Sequence, residues 1–259
     1  MSQQIFFKFP NLFFGKKAMR CVVLCGAGLL AAMVPGQMEG APAGRQASAA
    51  GVDATFAPDL SSFGGVKEAG GSAYGLPKGT PVGEAIEFIH ADRAFRPVAG
   101  SPVRLMFPLK GALDGEEGFT IAFRAQGDWS EAGPPDARRT LLQIGRRDAE
   151  NGVAIRLAAG KLQAVARGVK PGGSRVEYTI AMEVDKMALG AGQWHHFAVT
   201  YEPASGQMTL FVDGEKKGMR AGIAMDARWP EDSLLTVGLP GIAISDLRFL
   251  PGIHPTGSQ

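Results

Sequence analysis

The sequence predicts an all-β fold, a two-sheet antiparallel β-sandwich, and three observations predict it. Short runs of alternating apolar and polar residues recur between Ala85 and Leu250. Clusters of Gly, Pro, Asp and Asn separate them at the spacing of sandwich strands. After Gly44 no segment keeps apolar residues at i, i+3 and i+4 for more than about two turns, which excludes long amphipathic helices.

Taken in order, the expected strands are Ala85 to His90, Val103 to Phe107, Phe119 to Gln126, Thr140 to Gly145, Val153 to Leu157 and Leu162 to Arg167. They continue with Val176 to Val184, His195 to Tyr201, Met208 to Val212, Leu234 to Val237 and Ile242 to Leu250. Within the third, Phe119, Ile121 and Phe123 share one face while Thr120, Ala122 and Arg124 share the other, as the two-residue repeat of a strand requires. Val153, Ile155 and Leu157 repeat the pattern, and Gly160-Lys161 supplies a tight connection to the next strand.

Upstream of the strands, Lys8, Lys16, Lys17 and Arg20 precede an apolar stretch from Cys21 to Val34 that Pro35 closes. That stretch is shorter than the roughly 20 residues a spanning helix needs, which disfavours an uncleaved anchor. It matches the basic and apolar regions of a secretory signal. Ala41-Pro42-Ala43 and Ala47-Ser48-Ala49 both offer the small residues of a cleavage point, and Met19 offers an alternative start. Bulky Leu24 before Cys25, with most of the apolar run after it, argues against lipidation. The expected organisation is therefore a signal peptide over 1–43, a Gly/Ala/Ser-rich lead-in over 44–84 with one edge strand around Val52 to Phe56, a sandwich over 85–250 and a tail over 251–259. The expected location is secreted or periplasmic, in the cell envelope of a bacterium, with no membrane insertion after cleavage.

Charge supports this division. Of the 27 Lys and Arg and 25 Asp and Glu, four bases and one acid lie in residues 1–43, which leaves 23 against 24. The basic excess belongs to the targeting segment, so a nucleic-acid partner is not expected. Both cysteines, Cys21 and Cys25, also lie there. The remaining 216 of the 259 residues must fold by core burial without a disulfide or thiolate metal site.

Three segments carry a resemblance. Gly118-Phe119-Thr120-Ile121-Ala122-Phe123-Arg124-Ala125 is followed by Trp129, and Thr140-Leu141-Leu142-Gln143-Ile144-Gly145 comes next. The most specific is Gln193-Trp194-His195-His196-Phe197-Ala198-Val199-Thr200-Tyr201, then Gly206, then Met208-Thr209-Leu210-Phe211-Val212-Asp213-Gly214-Glu215. Together with a closing strand at Ile242 to Phe249, they resemble the laminin-G-like and pentraxin-related jelly rolls of the concanavalin A-like lectin and glucanase superfamily. The resemblance covers about Ala85 to Leu250. It implies a jelly roll, a binding or adhesion role, and a structural calcium on the sandwich rim. No ligand run for that calcium is visible in the sequence, and no other cofactor is indicated.

The hairpin itself reads as a folding signature. His195, Phe197, Val199 and Tyr201 alternate against Trp194, His196, Ala198 and Thr200, while Met208, Leu210 and Val212 supply a matching apolar face. Asp213-Gly214 provides a positive-φ turn. Neighbouring residues on a strand point to opposite faces, so His195 and His196 are not expected to hold one metal; His90 and His254 are too isolated to join them.

Enzyme readings find little support. Glycosidic hydrolysis needs two carboxyl groups about 5 Å apart in the retaining case, and Glu183-Val184-Asp185 supplies half of such a strand motif before Met187 and Ala188 break it. Glu116-Glu117 beside Asp114-Gly115 lies in a turn, and Arg146-Arg147-Asp148 reads as a charged turn. Nucleophile-elbow, zinc-helix and phosphate-loop motifs are missing. The expectation is a non-catalytic module recognising a polysaccharide or cell-surface glycoconjugate. The alternatives are a glucanase or lyase on the same fold, or a structural envelope protein that contacts a cell-surface protein. Sugar recognition commonly stacks an aromatic ring on a sugar face beside orienting polar groups. Loops are where such residues concentrate, so the candidates are Trp129 with Asp128 and Trp229 with Arg228. The competing role for each tryptophan is to cap the core. Trp194 is assigned to the hairpin core, and Tyr74 is set aside because it falls in the lead-in.

Overall fold

Because successive side chains of a strand point to opposite faces, the alternating segments can bury one face only by stacking on a second sheet. In the computed structural model they do so. It describes residues 56–109, 117–129, 139–145, 152–170, 172–225, 229 and 233–254, all within one compact unit, Ala49–Gln259. The expected signal segment, most of the strand expected around Val52 and the extreme C-terminus lie outside the described residues.

The strands are β1 (Ser72–Tyr74), β2 (Ile86–Ile89), β3 (Ala94–Pro97), β4 (Arg104–Pro108), β5 (Phe119–Gln126), β6 (Arg139–Ile144) and β7 (Gly152–Ala158). Then come β8 (Lys161–Val169), β9 (Arg175–Glu183), β10 (Trp194–Glu202), β11 (Gln207–Val212), β12 (Glu215–Arg220), β13 (Leu234–Val237) and β14 (Ala243–Pro251). Two seven-stranded sheets result. Sheet I has the order β1-β4-β13-β6-β7-β8-β9, and sheet II has the order β12-β11-β10-β5-β14-β3-β2. Every pairing is antiparallel.

Each strand expected from the alternation is present. The three not anticipated are β1, β3 and β12, and each lacks the pattern for a physical reason. The first spans three residues, β3 is short and ends in Pro97, and β12 reads Glu-Lys-Lys-Gly-Met-Arg with almost no apolar face. That last strand is the edge of sheet II, where charge protects an open edge from association.

The two sheets share a core whose centre is aromatic. On the inner face of sheet II, Phe123 of β5 lies opposite Phe197 of β10, and their rings stack with centroids 5.3 Å apart. Trp129 joins them at 5.2 Å from Phe197. Toward the start of β5, Phe119 gathers Phe249 at 5.4 Å, Tyr201 at 5.7 Å and Trp229 at 6.1 Å. Sheet I answers with aliphatic side chains, among them Leu105, Ile144, Ile155 and Leu162, all essentially unexposed.

The lead-in does more than enter the sandwich. Ser62 caps a short helix, α1 (Phe63–Glu68), by accepting the Gly65 amide at 3.1 Å, the usual role of Ser at such a position. Leu60 and Val66 are buried in the core, Phe56 meets Phe107 edge to face at 5.4 Å and forms an isolated bridge with Phe249. A second short helix, α2 (Val82–Ala85), leads into β2.

One end of the core is closed by a crossing segment. The Tyr201 hydroxyl lies 3.1 Å from the Met225 carbonyl and 3.3 Å from that of Ile223, while the Ala224 amide donates to the Tyr178 hydroxyl at 3.4 Å. This crossing passes directly over Gly168 of β8, where an added Cβ would stand 1.8 Å from the Ala224 carbonyl oxygen. Overpacking of this kind costs typically about 1–3 kcal/mol. Gly168→Ala should therefore destabilise the protein by at least that much in denaturant unfolding. Tyr201→Phe, which removes only the hydroxyl, should cost about 1 kcal/mol.

Candidate functional site

The β10–β11–β12 ribbon shows why its sequence is so recognisable. Asp213 and Gly214 adopt φ of 52° and 78°, with Val212 paired to Glu215 across them, the two-residue turn that Asp-Gly favours. The Asp213 carboxylate then ties the turn to β10. One oxygen lies 2.8 Å from His195 Nδ1 and the other accepts the His196 amide at 2.8 Å. His195 Nε2 accepts the Gly190 amide at 3.1 Å, so the ring carries its proton on Nδ1 and donates it to Asp213. His195 faces inward and is buried, and His196 faces outward, as the strand repeat demands. Both ring nitrogens of His195 are engaged in holding the hairpin.

Of the tryptophans expected in binding loops, Trp129 is 1% exposed and Trp229 is 9% exposed. They belong to separate clusters of the aromatic core, one at Phe197 and one at Phe119, so they cannot form one sugar platform. Neither presents a ring face to solvent, because an aromatic side chain next to a wide apolar core gains more from burial than from exposure. Asp128 is exposed, and Arg228 lies outside the described residues. Trp194, assigned above to the core, instead sits half-buried on the outer face of sheet II, with the Arg124 guanidinium 5.1 Å over its ring.

The carboxylates of the partial hydrolytic motif do not assemble. Strand β9 ends at Glu183, and Val184–Met187 turns into a 3-10 helix, so Glu183 and Asp185 do not share a strand face. Both are exposed, and Glu183 pairs with Lys186. Among the described residues no three His, Cys, Asp or Glu side chains converge on a metal position.

What the fold does assemble lies on the outer face of sheet I. In β1, Ala73 pairs with buried Leu105 and packs on the core, so Ser72 and Tyr74 point outward. Tyr74 is 61% exposed and is the most exposed of the large apolar side chains described. It pairs with Arg104 on β4. On the same face a row runs across all seven strands: Ser72, Met106, Thr236, Gln143, Ala154, Val165 and Thr179. Six strand spacings of about 4.8 Å make it about 29 Å long. Thr140, Arg156 and Gln163 line one side of the row, and Arg167 and Glu177 line the other.

Within this face, Val165 is fully buried although it points away from the core. The reason is an ion-pair network. Arg156 of β7 donates from Nε to Gln163 at 2.7 Å and from Nη2 to Glu177 at 2.7 Å, and Arg167 lies 3.6 Å from the other Glu177 oxygen. The Arg156–Glu177 pair runs diagonally from β7 to β9 and therefore crosses above Val165. Arg156 is left 8% exposed in its side chain, a fixed guanidinium on an otherwise open face.

A laminin G family model, described as the concanavalin A-like lectin/glucanases superfamily, matches residues 111–239, and that segment belongs to the superfamily. The sandwich is a concanavalin A-like jelly roll, with β1 to β4 and β14 completing its sheets outside the matched segment. Among solved structures, the botulinum neurotoxin type G receptor-binding domain is similar, with TM-score 0.53, 10% identity, and coverage of 79% of this chain and 49% of that one. The receptor-binding domain of botulinum neurotoxin D gives TM-score 0.52, 11% identity, 71% and 45%. The binding domain of Paraclostridial Mosquitocidal Protein 1 gives 0.51, 13%, 66% and 44%. This chain spans less than half the length of each, and the likeness is one of fold. No curated protein matches the sequence.

Two expectations follow. Removing the buried indole in Trp129→Ala should cost about 3–5 kcal/mol of stability, read by denaturant unfolding. The second concerns acid. Burial works to raise the Asp213 carboxyl, but hydrogen bonds from His195 and the His196 amide bring it below its ordinary 3.8. His196 is pushed below its ordinary 6.5 chiefly by burial, with Asp213 and Asp246 opposing and Arg248 and Arg124 adding to it. Both groups bind protons less readily folded than unfolded, so stability is complete above the unfolded values and falls as pH drops. The loss should begin below 6.5 through His196 and continue below 3.8 through Asp213. Asp213→Asn should flatten the lower limb and, by removing a charge that opposes the depression of His196, steepen the upper one, in unfolding curves taken across pH 7 to 3.

Proposed function

We propose that the protein is an exported, non-catalytic binding module that recognises a polysaccharide or cell-surface glycoconjugate across the outer face of sheet I. The observation that carries this reading is Tyr74, an exposed ring at one end of a polar sheet face. Such a ring can stack on the apolar face of a sugar while Thr, Gln and Arg side chains bond its hydroxyls. Catalysis is not part of the reading, because the carboxylates of the hydrolytic motif are separated and solvated. The fold neighbours are named as receptor-binding or binding domains, which agrees in kind.

A glycan array with the chain from residue 44 onward tests the reading, followed by titration of the best ligand. Tyr74→Ala should weaken binding about tenfold, the equivalent of about 1.4 kcal/mol, and leave the melting temperature nearly unchanged because the ring lies in solvent. An array without any bound glycan would remove the carbohydrate and favour a protein partner.

A further inference from the structure

We infer that β9, the outermost strand of sheet I, pairs antiparallel with β9 of a second copy of this chain, so that the two copies of sheet I join edge to edge. The strand runs nine residues, Arg175–Glu183, and pairs with β8 in an unbroken register that contains no proline. Just beyond its two ends, the Lys170 amide donates to the Ser174 carbonyl and the Val184 amide to the Gly160 carbonyl. Bonded pairs alternate along an antiparallel ladder, so Val176, Tyr178, Ile180 and Met182 direct their amides and carbonyls to β8, and the odd-numbered residues turn theirs away. Among the described residues, no backbone bond from another segment reaches Thr179, Ala181 or Glu183. A row of such groups is a template for another strand. Neither proline nor a bulge guards this edge.

The strand is complementary to itself. With a twofold axis at Thr179 all nine residues pair, and at both ends Arg175 of one copy stands opposite Glu183 of the other. Opposite charges across a ladder attract and like charges repel. On the inner face of the same register Val176 meets Met182 and Tyr178 meets Ile180. Val176 and Met182 are half-buried at the rim of the core, so the pairing covers apolar surface that one copy leaves in contact with water. Other registers lose the match. An axis at Glu177 sets that residue against itself, one at Ile180 sets it against Glu183, and one at Ala181 sets it against Asp185. An axis at Tyr178 leaves Arg175 and Glu177 opposite neutral residues. Sheet II stays apart, because its edge on this side, β12, carries Lys216, Lys217 and Arg220 against the single acid Glu215 and repels its own copy. That strand lies over β9 with Gly218 against Ile180, in the other layer. Tyr74, on the opposite edge strand of sheet I, is left uncovered.

The test is analytical ultracentrifugation, over a wide range of concentration, of the chain from residue 44 onward, which contains the whole compact unit. A reversible monomer–dimer equilibrium is expected. Thr179→Pro deletes an amide that points off the sheet and keeps every bond to β8, a place where an edge strand accepts proline. It should leave the far-UV circular dichroism spectrum unchanged and the chain monomeric. Glu183→Arg or Arg175→Glu alone sets like charges opposite each other and should weaken the dimer about tenfold, and the two together should restore it. That restoration reports the pairing even if the proline variant unfolds. A monomer at every concentration would overturn the inference. So would a dimer that persists in folded Thr179→Pro, or charge reversals whose combination restores nothing, since either result places the contact on another surface.

Discussion

Phe123 and Phe197 stand directly opposite each other on β5 and β10, stacked at 5.3 Å, and the sandwich is arranged around that contact. Aromatic pairs of this geometry add roughly 0.5–1.5 kcal/mol beyond the area they bury. Trp129 at one side and the Phe119, Tyr201, Phe249 and Trp229 group at the other extend the stack along β5. Because these rings fill the inner face of sheet II, that sheet must keep its register: a slip of one residue would turn the whole set outward. Register in turn decides which side chains reach the surface.

The Asp213 turn serves the same end from outside the core. Its carboxylate binds the His195 ring and the His196 amide, and its own amide donates to the His196 carbonyl at 2.8 Å. The hairpin is therefore pinned at the end opposite its β10–β11 connection. The paired histidines divide the work across the strand, one inside as a partner of Asp213 and one outside among Arg124, Arg248 and Asp246. A motif that resembles a ligand site is in this fold a device for holding register.

Sheet I shows the complementary solution. Its inner face is aliphatic, and its outer face combines small residues such as Ala154 with long polar ones that fold down over Val165. The network of Arg156, Gln163, Arg167 and Glu177 gives an open sheet surface a rigid charged element without drawing it into the core. Rigidity of that kind is what a binding face on strands offers over one on loops.

Period-two alternation was enough to read eleven of the strands, their inner residues and the Asp-Gly turn, because burial of one face and positive φ are local demands that residue type alone satisfies. The family resemblance was legible for the same reason, since the Trp194 to Asp213 ribbon carries its register signals within one stretch of chain. The candidate site was not legible. Tyr74 stands in a Gly-rich stretch with no alternation, and only pairing of β1 with β4 sets its ring on the sheet surface. Trp129 and Trp229 look like loop aromatics until the two sheets close over them. Arg156, Gln163 and Glu177 come from three strands, and their meeting depends on which strands are neighbours and in what register. By itself the sequence determined which face of each alternating strand turns toward the core, a choice made within a few residues. Which surface residues stand together was decided by the tertiary structure alone, because strand order and register join positions that no local pattern connects.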